Sequence, residues 1–167
     1  MSDKNSIRAL YYVAQAIVAA AEGMNSWKVI GDLLVNAEGE ACPHTPFCRN
    51  VRDFINDHTG SLAVNPTRIA ERIRDPWLNG TQGPSKTFIH AGYWLGHAGG
   101  YASLSIHGAN HAPEVRKGLR QAENDFRAIH QDALANDTGN LSKLADANQP
   151  NFGHLKDSIY NLVMRIQ

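Results

Sequence analysis

KTFIHAGYWLGHAGGYASLSIHGANHAPE, residues Lys86 to Glu114, has no Asp, Glu, Lys or Arg between its two end residues. It nevertheless holds four of the chain's eight histidines and five of its fourteen glycines. Whether it is a membrane span, a ligand site or a packed helix decides the class of the fold. A span needs about 20 predominantly apolar residues. Here His90, His97, His107, Ser103 and Ser105 dilute the run, and polar groups at that density are costly in hydrocarbon. The membrane reading is excluded, and the interval reads instead as a helix over 88–106.

On a wheel that advances about 100° per residue, residues 88–104 sort into three stripes. Phe88, Ala91, Leu95, Ala98 and Ala102 form a core face. Gly92, Gly96, Gly99 and Ser103 form a stripe of small residues beside it. Glycine costs about 1 kcal/mol relative to alanine inside a helix, so several on one face predict the close approach of another backbone. A break at Gly99-Gly100 into two shorter helices is the alternative. His90, Trp94, His97 and Tyr101 form the third stripe, the candidate binding face for a ligand or partner. These rings could line a pocket, stack on a planar ligand or hold a metal, or they could pack at the surface with their polar atoms wet. His107 and His111 lie one turn apart if helical, the spacing of a two-histidine metal site.

Helical periodicity continues on both sides. Ile7, Leu10, Ala14, Ile17 and Ala21 recur at steps of three and four, with Ser6 as cap and Gly23 as stop. Trp27, Ile30, Leu34 and Ala37 make a second stripe. Thr45-Pro46 and Asn65-Pro66 read as an N-cap followed by proline in the first turn, and Asp75-Pro76 reads as a stop. Residues 77–86, WLNGTQGPSK, read as a loop. From Pro113, Val115, Leu119, Ala122, Phe126, Ile129 and Ala133 predict one long helix that ends near Gly139. Phe152, Leu155, Ile159, Leu162 and Ile166 give an amphipathic C-terminal helix. No stretch alternates with period two for long enough to make a strand. The expectation is an all-α, single-domain bundle of about five to seven helices over 1–167, with loop 77–86 as a potential divide between sub-bundles.

The totals bound the function classes. A chain of 167 residues is long enough for one self-sufficient core. Sixteen basic and sixteen acidic residues balance to zero, which removes the footprint of a general nucleic-acid or anionic-membrane binder. The N-terminal apolar run, interrupted by Gln15 and preceded by Asp3, belongs to the fold rather than to a signal peptide. A cytoplasmic location is the expectation, and with it reduced Cys42 and Cys48, a disulfide being the alternative.

EACPHTPFCRNVRDFINDH also presents Cys42, His44, Cys48 and His58, enough thiolates and imidazoles for tetrahedral zinc. The spacings differ from those of common fingers, and His58 falls about 15 Å along the next helix. No cofactor is the leading expectation, with zinc or another transition metal as the alternative. Among catalytic signatures, no Glu stands three residues before a His, and no nucleophile elbow or complete phosphate loop occurs.

Arg52 and His58 in RDFINDH fit an Arg-x(4–6)-His pattern. This resembles the catalytic element of the HEPN superfamily, small all-helical bundles that include metal-independent ribonucleases. The resemblance implies acid–base chemistry at His58 and phosphate positioning by Arg52. Without an assembled catalytic set elsewhere, the leading expectation is a non-enzymatic helical protein that binds a protein partner or small ligand through residues 77–111, with a homodimer as one form of partner. A histidine-dependent metal or small-molecule site around His90, His97, His107 and His111 is the second expectation. The ribonuclease is the third.

Overall fold

A computed structural model describes residues 3–24, 26–61 and 63–167. Among the described residues every regular element is helical and there is no strand. Eight helices follow in chain order: α1 (Asp3–Ala21), α2 (Trp27–Ala41), α3 (Cys48–His58), α4 (residues 66–79), α5 (Gly83–Ile106), α6 (Ala112–Ala128), α7 (Asp132–Ala145) and α8 (Phe152–Met164). The all-α class is as expected and the helix count is higher. The helix expected from Pro113 to Gly139 is two helices, α6 and α7. His130 adopts the left-handed region, with φ 59°. The Gln131 amide donates to Phe126 O at 2.9 Å and the His130 amide to Arg127 O at 3.1 Å. That is the hydrogen-bond pattern of a Schellman cap, with histidine where glycine is usual. Gly139 therefore lies inside α7, where it faces the Glu123 carboxylate of α6.

A second departure is at Asp75-Pro76. Proline removes the amide that would bond the carbonyl four residues back, here that of Arg72, and its ring crowds that carbonyl. α4 passes through this point instead of ending. A π-helical turn over Ala70–Arg74 widens the helix just before the proline. The Arg72 carbonyl accepts from Asn50 Nδ2 of α3 at 3.4 Å. Trp77 thereby becomes fully buried core, and the loop expected over 77–86 shrinks to residues 80–82.

Helix α1 is the centre of the molecule. Its Ala9, Leu10, Val13 and Ala16 pack with Ile30 and Leu34 of α2, Phe54 of α3, and Ile69, Ile73 and Trp77 of α4. Its Ile7, Tyr11 and Val18 join a second cluster with Leu95 of α5, Leu119 and Phe126 of α6, and Ile159 of α8. Ser6, expected as a cap, is inside α1 and fully buried. Gly23, at φ 88°, does end α1, with the Met24 amide donating to Ala19 O at 2.8 Å. Arg8 reaches across the bundle and donates to Met164 O at 2.6 Å and Ile166 O at 3.0 Å, satisfying carbonyls at the end of α8.

The opening stretch is continuous helix through Gly99-Gly100, and its small stripe meets α1. A Cβ at Gly92 would strike the side chain and carbonyl of Ile7. At Gly96 it would strike the Tyr11 carbonyl and lie 2.7 Å from Ala14 Cβ. Gly118 of α6 makes the corresponding close approach from the other side, 2.7 Å from Trp94 O by the same measure. Two helices thus press on α5, leaving its third stripe between them. No helix among the described residues is long and apolar enough to cross a membrane.

Candidate functional site

His90, Tyr93, Trp94, His97 and Tyr101 recur at steps that keep them on one face of α5, and the structure brings their rings into a ladder. Trp94 meets His90 edge-on at 5.8 Å between centroids, Tyr93 at 5.2 Å and His97 at 5.2 Å. His97 meets Tyr101 at 4.9 Å, and Tyr101 meets His111 at 5.0 Å. These separations are those of favourable aromatic pairs.

Neighbouring helices supply the charges. Asp125 of α6 pairs with His90 Nδ1 at 3.1 Å, and Glu114 of α6 pairs with His97 Nε2 at 2.8 Å. Tyr101 donates to Glu22, just past the end of α1, at 2.7 Å. Two cations cover the aromatic faces: Arg74 of α4 lies 5.2 Å from the Tyr93 centroid and Lys117 of α6 lies 5.7 Å from that of Trp94. Arg74 also donates to the Tyr93 hydroxyl at 3.1 Å. Burial pushes the His97 imidazole below its ordinary value, against the opposing pull of Glu114. Burial and then Glu22 push the Tyr101 phenol upward. The Trp94 Nε1–H is buried without a protein partner.

Both α5 imidazoles already hold a carboxylate of α6, and the ladder presents no serine, threonine or cysteine nucleophile. His90 and His97 are seven residues apart on one helix, about 10 Å along its axis, so they cannot share one ion. Among the described residues no three His, Cys, Asp or Glu side chains come together as a metal site. His107 and His111 are not one helical turn apart: α5 ends at Ile106, and Gly108 takes φ 102° between them. His111 joins the ladder, whereas His107 lines a separate groove of about 370 Å³ between α1, α2 and the end of α5. Val18, Met24, Val29, Leu33 and Leu104 give that groove its apolar lining.

The cysteine expectation is overturned. Cys42 and Cys48 form a disulfide, their Cα atoms 4.8 Å apart across the turn between α2 and α3. Tied to each other, they offer no thiolate for zinc with His44, which is exposed. Arg52 and His58 are also not brought together around a common point. Arg52 pairs with Glu38 of α2 at 3.5 Å. His58 stacks on Phe54 at 4.0 Å, its Nδ1 3.0 Å from Phe54 O.

No family model, curated protein or solved structure matches this chain. No family is shown. The site must be read from its own residues, and sequence reasoning missed six of them: Glu22, Arg74, Tyr93, Glu114, Lys117 and Asp125. A trace of the α6 set was legible, since Glu114, Lys117, Gln121 and Asp125 recur at steps of three and four on the polar face of that helix. Glu22 and Arg74 come from distant turns of chain, and only the tertiary fold places them here.

Proposed function

We propose that this chain acts by binding a protein partner, without catalysis, through the ring ladder of α5. The observation that carries the reading is the partly buried Tyr93–Trp94 pair lying between Arg74 and Lys117, with Glu114 and Asp125 beyond. Aromatic side chains at the centre and paired charges at the rim are the make-up of a protein-binding hot spot. Expected surface 77–111 narrows on this reading, because Trp77 is core and the contribution of α5 is its outward stripe. A cytoplasmic home is compatible with the Cys42–Cys48 disulfide only where the bond is transient, since persistent disulfides belong to oxidising compartments.

The test is cross-linking and affinity capture with wild type, Trp94→Ala and Lys117→Glu, using Lys28→Ala on exposed α2 as control. Lys117→Glu reverses a rim charge at an exposed position and leaves the core untouched. Species captured by wild type and by the control are expected to fall about tenfold or more in both ladder variants, the loss of a hot-spot side chain. Equal recovery with all four proteins, or a strict monomer that captures nothing, would sink the proposal.

A further inference from the structure

We infer that the Cys42–Cys48 disulfide is a reversible latch that holds α3 on the bundle, and that reduction by a low-molecular-weight thiol releases α3 and uncovers the apolar surface beneath it. The first ground is how little else holds this helix. Its buried side chains are Val51 and Phe54, which rest on the cluster containing Ile30, Leu34, Ile69, Ile73 and Trp77. Ile55 adds a partly buried apolar contact with the same cluster, and the Arg72 guanidinium of α4 lies 5.3 Å from the Phe54 centroid. The other ties are polar and at the rim: Arg72 with Asp57 at 2.7 Å, Arg52 with Glu38 at 3.5 Å, and Asn50 with Arg72 O at 3.4 Å. Exposed ion pairs of this kind contribute little. The covalent tie stands at the first residue of the helix, where it fixes the N-terminal end beside the stacked Phe47 and Trp77 rings, 5.1 Å apart.

The second ground is chemical access. Both cysteines are partly exposed, and Pro43 and His44 between them are exposed. A small thiolate attacks Cys42 Sγ, forming a mixed disulfide and expelling Cys48 as a thiolate. The leaving sulfur then sits at the first residue of α3, where the helix dipole favours negative charge. A second thiol molecule attacks the mixed disulfide, releasing the small-molecule disulfide and leaving Cys42 reduced, and water protonates both sulfurs. Overall one protein disulfide is reduced as two small thiols are oxidised to one disulfide. Release of α3 would expose the apolar surface of α2 and of the 70–74 turn on which it packs, an opening of the low-stability kind from which switchable elements are drawn.

Hydrogen exchange by mass spectrometry on the full chain, oxidised and then reduced with dithiothreitol, tests this, with alkylation confirming both thiols in the reduced sample. Protection over residues 48–58 is expected to fall about tenfold or more on reduction and to return on reoxidation, while α5 and α6 stay unchanged. A Cys42→Ser/Cys48→Ser variant should match the reduced protein, and reduced wild type decides the matter by itself should that variant not fold. Unchanged protection over 48–58 would overturn the latch. Loss of protection throughout the chain would overturn it equally, making the disulfide a staple of the whole fold.

Discussion

His97 is where burial and charge oppose each other most directly. Its ring lies between Trp94 and Tyr101, and its Nε2 is bonded to Glu114. Burial, the larger influence, keeps the imidazole below its ordinary value of 6.5, and Lys117 adds in the same direction. The folded chain therefore takes up this proton less readily than the unfolded chain does. By linkage, the stability His97 contributes is fully present above the unfolded value and is lost as the pH falls through the lowered folded value. Urea unfolding of wild type and His97→Gln at about pH 7.5 and about pH 5.5, either side of the ordinary imidazole range, reads this out. Wild type should lose more midpoint on acidification than the variant; an equal loss in both would show that other groups carry the acid sensitivity. The sequence placed His97 on a shared ring face but could not reveal its partner, because Glu114 lies beyond the α5–α6 turn and is aimed back by the helix crossing.

At the scale of the helix pair, the glycines of α5 set how closely α1 can approach. Gly96 lies where any Cβ would meet the Tyr11 carbonyl and Ala14 Cβ, both parts of a buried helix that has no room to withdraw. Gly39 of α2 has nothing within 4 Å of the same added atom. Alanine improves helix propensity at both sites by about 1 kcal/mol, so only the space differs. Gly96→Ala should lose about 1–3 kcal/mol through overpacking, whereas Gly39→Ala should gain about 0.5–1 kcal/mol. Denaturant midpoints measure both, and a stabilised Gly96→Ala would show that the crossing is looser than described. This crossing was legible in advance, since a recurring small residue has a steric meaning that sequence preserves. The break between α6 and α7 was not. A left-handed cap normally announces itself by glycine, and His130 hides it; Ile129 and Ala133 keep the four-residue step across the break, so periodicity alone joined the two helices. Pro76 misled in the opposite sense, because its lost hydrogen bond is made good by a side chain from α3.

Over the whole molecule, the position of α1 governs how the parts depend on one another. Loop 77–86 suggested a divide between sub-bundles, and two apolar clusters do exist, one on each side of α1. Yet the same helix supplies Leu10 and Val13 to one cluster and Ile7, Tyr11 and Val18 to the other. Neither cluster can melt without stripping a face from a helix that the other needs, and Arg8 further ties α1 to the end of α8. Strong coupling of this kind predicts one cooperative transition. The three tryptophans report on it separately: Trp27 and Trp77 belong to the α2–α4 side, and Trp94 packs against the α6–α8 side. Single-tryptophan variants, Trp27→Phe/Trp94→Phe to isolate Trp77 and Trp27→Phe/Trp77→Phe to isolate Trp94, should unfold in urea at one midpoint each by fluorescence. Within each variant that midpoint should agree with the one from far-ultraviolet circular dichroism. Reporters that precede or lag the loss of helix would mean that α1 leaves one cluster while still bound to the other. The latch at Cys42–Cys48 sharpens the comparison, because release of α3 by reduction strips the Phe54 contact from the Trp77 side alone. With α1 still shared by both clusters, the Trp77 and Trp94 midpoints should therefore each stay coincident with the loss of helix after reduction, and both should move to lower urea.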